Sequence, residues 1–177
     1  MSDAFIGIDP GKNSYITTIA PNGEIVFDPI PMIGKEIDVK ALDYIFQTLE
    51  NCYQDPIAVI EDVHAIFGSS ANATFDFGYT TGLLEALLVA HKIPFTKVQP
   101  KTWQKEMWEG VPIQRKASST GKTQVNDTKA ISEMAAKRLF PNEDLRPNDA
   151  TTRCKKSDHN KVDSLLIAEF CRRKFKS

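Results

Sequence analysis

Apolar residues change their period several times along the chain, and each change marks the start or end of an element. Phe5-Ile6-Gly7-Ile8 is an unbroken apolar run stopped by Asp9-Pro10-Gly11, which predicts a buried strand entering a turn. Ser14 to Ile19 and Glu24 to Phe27 are joined through Pro21-Asn22-Gly23, a hairpin signal with Asn-Gly at the bend. The period then becomes helical. Val39, Leu42, Ile45, Phe46 and Leu49 recur at helical spacing after Asp38, a suitable N-cap, and Pro56 ends the segment. Ile57-Ala58-Val59-Ile60 is a second unbroken run, of the kind buried on both faces of a sheet, and it finishes at Glu61-Asp62.

Beyond the polar connection Gly68-Ser69-Ser70, the pattern predicts a helix over Thr74 to His91, with Phe75, Tyr79, Leu83, Leu87 and Ala90 on one stripe. Gly78 and Gly82, one turn apart, predict close approach to the sheet. Tyr79, Leu83, Leu84, Leu87 and Leu88 carry the apolar surface further round than one stripe needs, which predicts either an interface with a second copy of the chain, with Leu84 pointing outward, or a central helix buried wholly within the monomer. Phe95 to Val98 reads as a strand and Pro100-Lys101-Thr102-Trp103 opens a short helix. Glu109 to Asp127 has no apolar period and predicts a flexible basic loop. Thr128 to Phe140 is helical, Pro141 to Lys156 is a second loop, and Lys161 to Phe175 is a terminal helix. Three strands, then helix, strand, helix, strand and two helices predict an α/β domain over 1–177, a mixed five-stranded sheet flanked by helices in the ribonuclease H-like layout.

Composition narrows the class further. At 41% hydrophobic and 25% charged, the chain is neither collagen-like nor disordered, and no charge-free apolar run approaches the roughly 18 residues of a membrane span. With no signal-like start, a cytoplasmic protein is expected, in a bacterium, a phage-infected cell or an organelle matrix. Cys52, Cys154 and Cys171 are widely spaced, which argues against a disulfide framework or structural zinc. Net charge is −1 but unevenly spread: residues 97–177 hold 18 Lys and Arg against 10 Asp and Glu, and residues 1–96 hold 4 against 13. An acidic half that supplies metal ligands beside a basic half that holds a polyanion is one explanation.

The candidate chemistry follows from topology. Asp9 closes the first strand and Glu61 closes the fourth, its expected neighbour, while Asp163 lies on the terminal helix with His159 one turn before it. Singly, each has a plain alternative: a turn aspartate, a solvated strand end, a helix-capping Asp158 beside an exposed His159. Asp163 precedes the inward-pointing Ser164-Leu165-Leu166-Ile167-Ala168, where a carboxylate needs a partner or a metal. Together they form a hard-oxygen set suited to magnesium, with manganese as substitute, and two such ions roughly 4 Å apart serve phosphodiester hydrolysis. An actin-like or sugar-kinase phosphate loop also follows such a strand, but those folds need two domains and this chain is too short for both.

Phe5-Ile6-Gly7-Ile8-Asp9-Pro10-Gly11, Val59-Ile60-Glu61-Asp62-Val63 and Asp158-His159-Asn160-Lys161-Val162-Asp163-Ser164-Leu165-Leu166-Ile167-Ala168 resemble, in order, the three active-site motifs of RuvC-type Holliday junction resolvases, nearest to the phage and organellar branches. The likeness extends to Val98-Gln99-Pro100-Lys101-Thr102-Trp103-Gln104-Lys105 and Asn126-Asp127-Thr128-Lys129. It implies a homodimer that binds four-way junctions and makes paired symmetric nicks with magnesium, two ions per site. By position it implies Asp9, Glu61, His159 and Asp163 as metal ligands, with Asp158 the alternative to His159, and Glu61 rather than Asp62. Lys129 matches a basic residue near the scissile phosphate. Lys101, Lys105, Arg115, Lys116 and Lys122 are expected on backbone phosphates, and Phe67, with His64 beside it, where relatives stack an aromatic at the opened crossover. The competing readings are a nuclease of this fold acting on other branched or hybrid substrates, and a branched-DNA binder that does not cut.

Overall fold

The computed structural model describes residues 3–62, 70–118, 120–148, 151 and 154–176. β1 (Ala4–Ile8), β2 (Tyr15–Ile19) and β3 (Ile25–Pro29) form an antiparallel meander. Gly23 takes φ 86° in the bend between β2 and β3, a left-handed conformation that explains glycine after Asn22. A short ribbon, β4 (Met32–Ile33) with β5 (Glu36–Ile37), leads into helix α1 (Val39–Cys52). Asp38 caps that helix by accepting from the Ala41 N–H at 3.1 Å, and Leu42, Phe46 and Leu49 are its buried stripe. β6 (Pro56–Glu61) follows, then α2 (Ala71–Ala90), β7 (Phe95–Val98), α3 (Pro100–Met107), β8 (Arg115–Ala117), β9 (Gln124–Asn126), α4 (Thr128–Leu139) and α5 (His159–Phe175).

The five long strands make one mixed sheet in the order β3-β2-β1-β6-β7, with β6 parallel to both β1 and β7. Strand alternation divides its side chains between two cores. Ile6, Ile8, Ile16, Ala58 and Ile60 pack with Leu42 and Phe46 of α1 and Leu84 and Leu88 of α2. Phe5, Val59 and Val98 pack on the other face against Trp103 and Met107 of α3, Ala135 and Ala136 of α4, and Leu165, Leu166 and Phe170 of α5. α5 comes closest to the sheet at Gly7. A Cβ there would stand 2.2 Å from the Ala168 nitrogen and 2.3 Å from the Ser164 oxygen, so only glycine lets the helix seat. The buried Thr17 and Ser164 hydroxyls, 2.7 Å apart, tie the same helix to β2.

Six expectations need correction. The segment Glu109 to Asp127 is not all loop: it contains the β8–β9 hairpin, turned through Gly121 at φ 70° and joined to the start of α4 by a 3.0 Å ion pair between Lys116 and Asp127. α2 begins three residues earlier than expected because Ser70 caps it, accepting from the Ala73 N–H. Its buried stripe is Thr80, Leu84, Leu87 and Leu88, whereas Phe75 and Tyr79 are 72% and 46% exposed. Leu84 is fully buried rather than outward, because apolar residues in the second half of this helix fit two rotational settings and the sheet selects one. Gly78 and Gly82 face open space, and the close approach foreseen there belongs to Gly7. α5 also begins two residues earlier than the apolar pattern implied, at His159 behind the cap Asp158.

Candidate active site

β1 and β6 run parallel with Ile8 opposite Ile60, so the residues after them, Asp9 and Glu61, leave adjacent strand ends. Alternation puts both with Phe5, Gly7 and Val59 on the face that α5 covers. Asp62 takes the opposite face, where Lys97 stands 3.6 Å from it and 2.8 Å from Glu85 of α2. Asp163 sits one residue before Ser164 on the part of α5 that crosses Gly7. The predicted three carboxylates therefore meet at one end of the sheet.

Their protonation reflects the crowding. Burial, and then the charge of Asp158, push Asp9 up to about 6, while the nearby Ser14 hydroxyl offsets part of the rise. Burial and the charges of Asp9 and Asp163 push Glu61 up to about 7, and burial and Asp9 push Asp163 to about 7. For Asp163 the buried position holds on the order of 4 kcal/mol against ionisation. α5 can bear it: Val162, Leu165, Leu166, Ile167 and Phe170 are buried, each contributing about 1.5–3 kcal/mol as an upper bound.

Two tryptophans adjoin this cluster, and reading the sequence assigned neither a role. The Trp103 indole donates to Glu61 Oε1 at 2.8 Å, and the Trp108 indole donates to the Ser132 hydroxyl at 3.2 Å. Ser132 in turn lowers Asp163. The signal available in sequence was Trp103 inside the Pro100–Lys105 motif, since a buried indole N–H must find an acceptor.

His159 is the first residue of α5, and its Nδ1 is buried with no hydrogen-bond partner among the described residues. Burial, and then Lys129, lower its pKa, with Glu133 and Asp158 acting against them. Its charged neighbours include Lys129, Glu133, Lys156 and Asp158. Asp158 is committed as the α5 cap: Oδ1 accepts from the Asn160 N–H at 3.0 Å and Oδ2 from the Tyr15 hydroxyl at 3.2 Å. Lys129, exposed in the first turn of α4, lies close enough to lower Asp163. Lys101, Lys105, Arg115, Lys116 and Lys122 are all exposed; Lys105 lines a separate 890 Å³ cavity with Trp108 and Phe170, and Lys116 is paired with Asp127. Phe67 and His64 lie outside the described residues.

The donor chemistry fits a hard divalent cation. Three carboxylate groups repel one another, and among the described residues no lysine or arginine forms an ion pair with any of them. Among the described residues, no three His, Cys, Asp or Glu side chains already stand in the spacing of a formed metal site.

Solved structures decide the fold. Thermus thermophilus RuvC in complex with a Holliday junction substrate superposes with a TM-score of 0.60 at 13% identity, over 94% of this chain and 90% of that one. The chain has the RuvC fold. A second Thermus thermophilus RuvC structure gives 0.56 at 14% identity, over 98% and 96% of the two chains. The yeast mitochondrial Holliday junction resolvase Ydc2 gives 0.51 at 16% identity, over 96% of this chain and 83% of its own. No family model matches the chain, and no curated protein matches it in sequence. No helix among the described residues is long and apolar enough to cross a membrane.

Proposed function

We propose that the chain is a metal-dependent endonuclease that resolves four-way DNA junctions by paired symmetric nicks, acting as a homodimer of one RuvC-like domain. The observation that carries this reading is the convergence of Asp9, Glu61 and Asp163, mutually destabilised as anions, where β1 and β6 end beneath α5. The fold it shares with a RuvC solved on a Holliday junction supplies the substrate class.

In this reading Asp9, Glu61 and Asp163 hold magnesium, or manganese in its place, and His159 completes the set through its imidazole, whose buried Nδ1 has no hydrogen-bond partner among the described residues. Two ions held there would supply Lewis-acid activation of a water and would neutralise charge at the phosphate. Lys129 adds positive charge beside Asp163, where the phosphate gains negative charge as it reacts. Lys101, Lys105, Arg115, Lys116 and Lys122 contact backbone phosphates; the β8–β9 hairpin presents three of these and would present them as a unit. Phe67 is assigned the stacking role at the crossover.

A junction with two-fold symmetry calls for two matched sites, which an isologous dimer provides. The outward face of α2 is the candidate interface, now through Phe75 and Tyr79, whose rings stack with centroids 6.4 Å apart, rather than through Leu84. Lys12, in the turn after Asp9, pairs with Asp76 of that helix at 2.9 Å, so the interface would adjoin the active-site turn.

The deciding experiment incubates the protein and magnesium with labelled duplex, fork, hybrid and four-way substrates. Preferential paired nicking of the four-way junction, lost in Asp9→Asn while junction binding persists, is the expected result. Equal cutting of all substrates, or native activity in Asp9→Asn, would refute it.

A further inference from the structure

We infer that Trp103 is a positioning residue that holds Glu61 in the orientation needed to bind a divalent cation. The inference rests on the proposed metal-dependent function and adds a residue whose role that proposal leaves open.

Trp103 is 1% exposed, in the first turn of α3, packed in the core that includes Val59, Val98 and Met107. Its indole N–H is its one polar group, and at 2.8 Å it donates to Glu61 Oε1. β7 pairs with β6 so that Val98 lies opposite Glu61, and α3 starts two residues later with Pro100. Strand pairing and helix start together place the indole beside the carboxylate, so the bond is built by the backbone rather than by a mobile side chain.

The donor's chemistry suits the task. A lysine or arginine at this position would neutralise Glu61 and compete with a bound cation, whereas an indole N–H is neutral, donor-only and does not ionise. It therefore anchors one carboxylate oxygen and leaves the charge and the second oxygen for the ion. Groups of this kind behind metal ligands typically change metal affinity by about 10–100-fold when removed.

The test measures Mn2+ binding to the DNA-free protein by the electron spin resonance of free Mn2+. Trp103→Phe removes the donor, and 3-benzothienylalanine at position 103 keeps both rings while sulfur replaces the N–H, covering the case in which the phenylalanine variant does not fold. Met107→Leu perturbs the same core without touching Glu61. Either change at position 103 should weaken Mn2+ binding about tenfold or more, with junction affinity in the absence of divalent cations unchanged and Met107→Leu close to native. Mn2+ affinity within about twofold of native in the benzothienyl protein overturns the inference, as does equal weakening by Met107→Leu. If the native protein and Asp9→Asn bind Mn2+ alike, the metal-dependent reading itself falls, and the inference with it.

Discussion

Replacing Gly7 by alanine puts the seating of α5 to a quantitative test. The added Cβ would stand 2.2 Å from Ala168 N, 2.3 Å from Ser164 O and 2.7 Å from Ala168 Cα. Ordinary contact between such atoms begins at about 3.5 Å, so the helix must retreat by roughly 1 Å. All three atoms belong to the backbone of α5, and no rotamer change relieves them. Overpacking of this kind costs about 1–3 kcal/mol, and the rigid partner puts the expected loss near 3. Alanine's smaller unfolded-state entropy returns less than about 1 kcal/mol. With a net loss of about 2–3 kcal/mol at about 2–4 °C per kcal/mol, the melting temperature should fall by roughly 4–12 °C. Asp163 precedes Ser164 on the displaced segment, and a misplacement of about 1 Å at a catalytic group can cost roughly 100-fold in rate. Thermal unfolding by circular dichroism gives the first quantity, and junction nicking at a temperature where the variant is folded gives the second. Adding Ala168→Gly should not rescue either, because the clashing nitrogen and Cα remain. A Gly7→Ala protein that melts with the native one and cuts at the native rate would refute the reasoning.

Three further outcomes are expected. With folded-state values of about 6 for Asp9 and about 7 for Glu61 and Asp163, the metal-free folded protein retains protons that the unfolded chain releases. Their contribution to stability is therefore greatest below the unfolded carboxylate range and is lost as pH rises through about 7. Metal-free melting temperatures should fall from pH 5 to pH 8 more steeply in the native protein than in Asp163→Asn, and magnesium should restore stability at pH 8 but not at pH 5. Equal slopes in the two proteins would contradict the crowding. His159→Ala should reduce nicking less than Asp163→Asn, with water taking the place of the imidazole, and should leave metal-free stability nearly unchanged because Nδ1 has no hydrogen bond among the described residues to lose; equal, complete loss of nicking would make the histidine an irreplaceable ligand. Tyr79→Glu should yield a folded monomer by sedimentation that nicks one strand rather than two, whereas Leu84→Glu, at a fully buried position, should unfold; a dimer in Tyr79→Glu would move the interface elsewhere.

Much of this architecture is dictated locally and so can be read from the chain. Unbroken apolar runs such as Phe5–Ile8 and Ile57–Ile60 have only one economical environment, the middle of a sheet, and Asp38 caps its helix with its own side chain. The acids closing those runs fall together because parallel neighbours end on the same side, so Asp9 and Glu61 were legible before any contact was known. Alternation alone also separates Glu61 from Asp62. Other features depend on which surfaces meet. The second half of α2 is apolar nearly all round, so its rotation is settled only by packing against Ile60 and Phe46, which buries Leu84 and exposes Phe75. Gly78 and Gly82 looked like Gly7 in sequence, yet only Gly7 lies under a crossing helix. The β8–β9 hairpin has no buried face to leave an apolar period, and its strands find each other through backbone pairing and the tie from Lys116 to Asp127. The bond from Trp103 to Glu61 joins residues 42 apart, and its direction is set by the pairing of β7 with β6 and the start of α3, which no local pattern encodes.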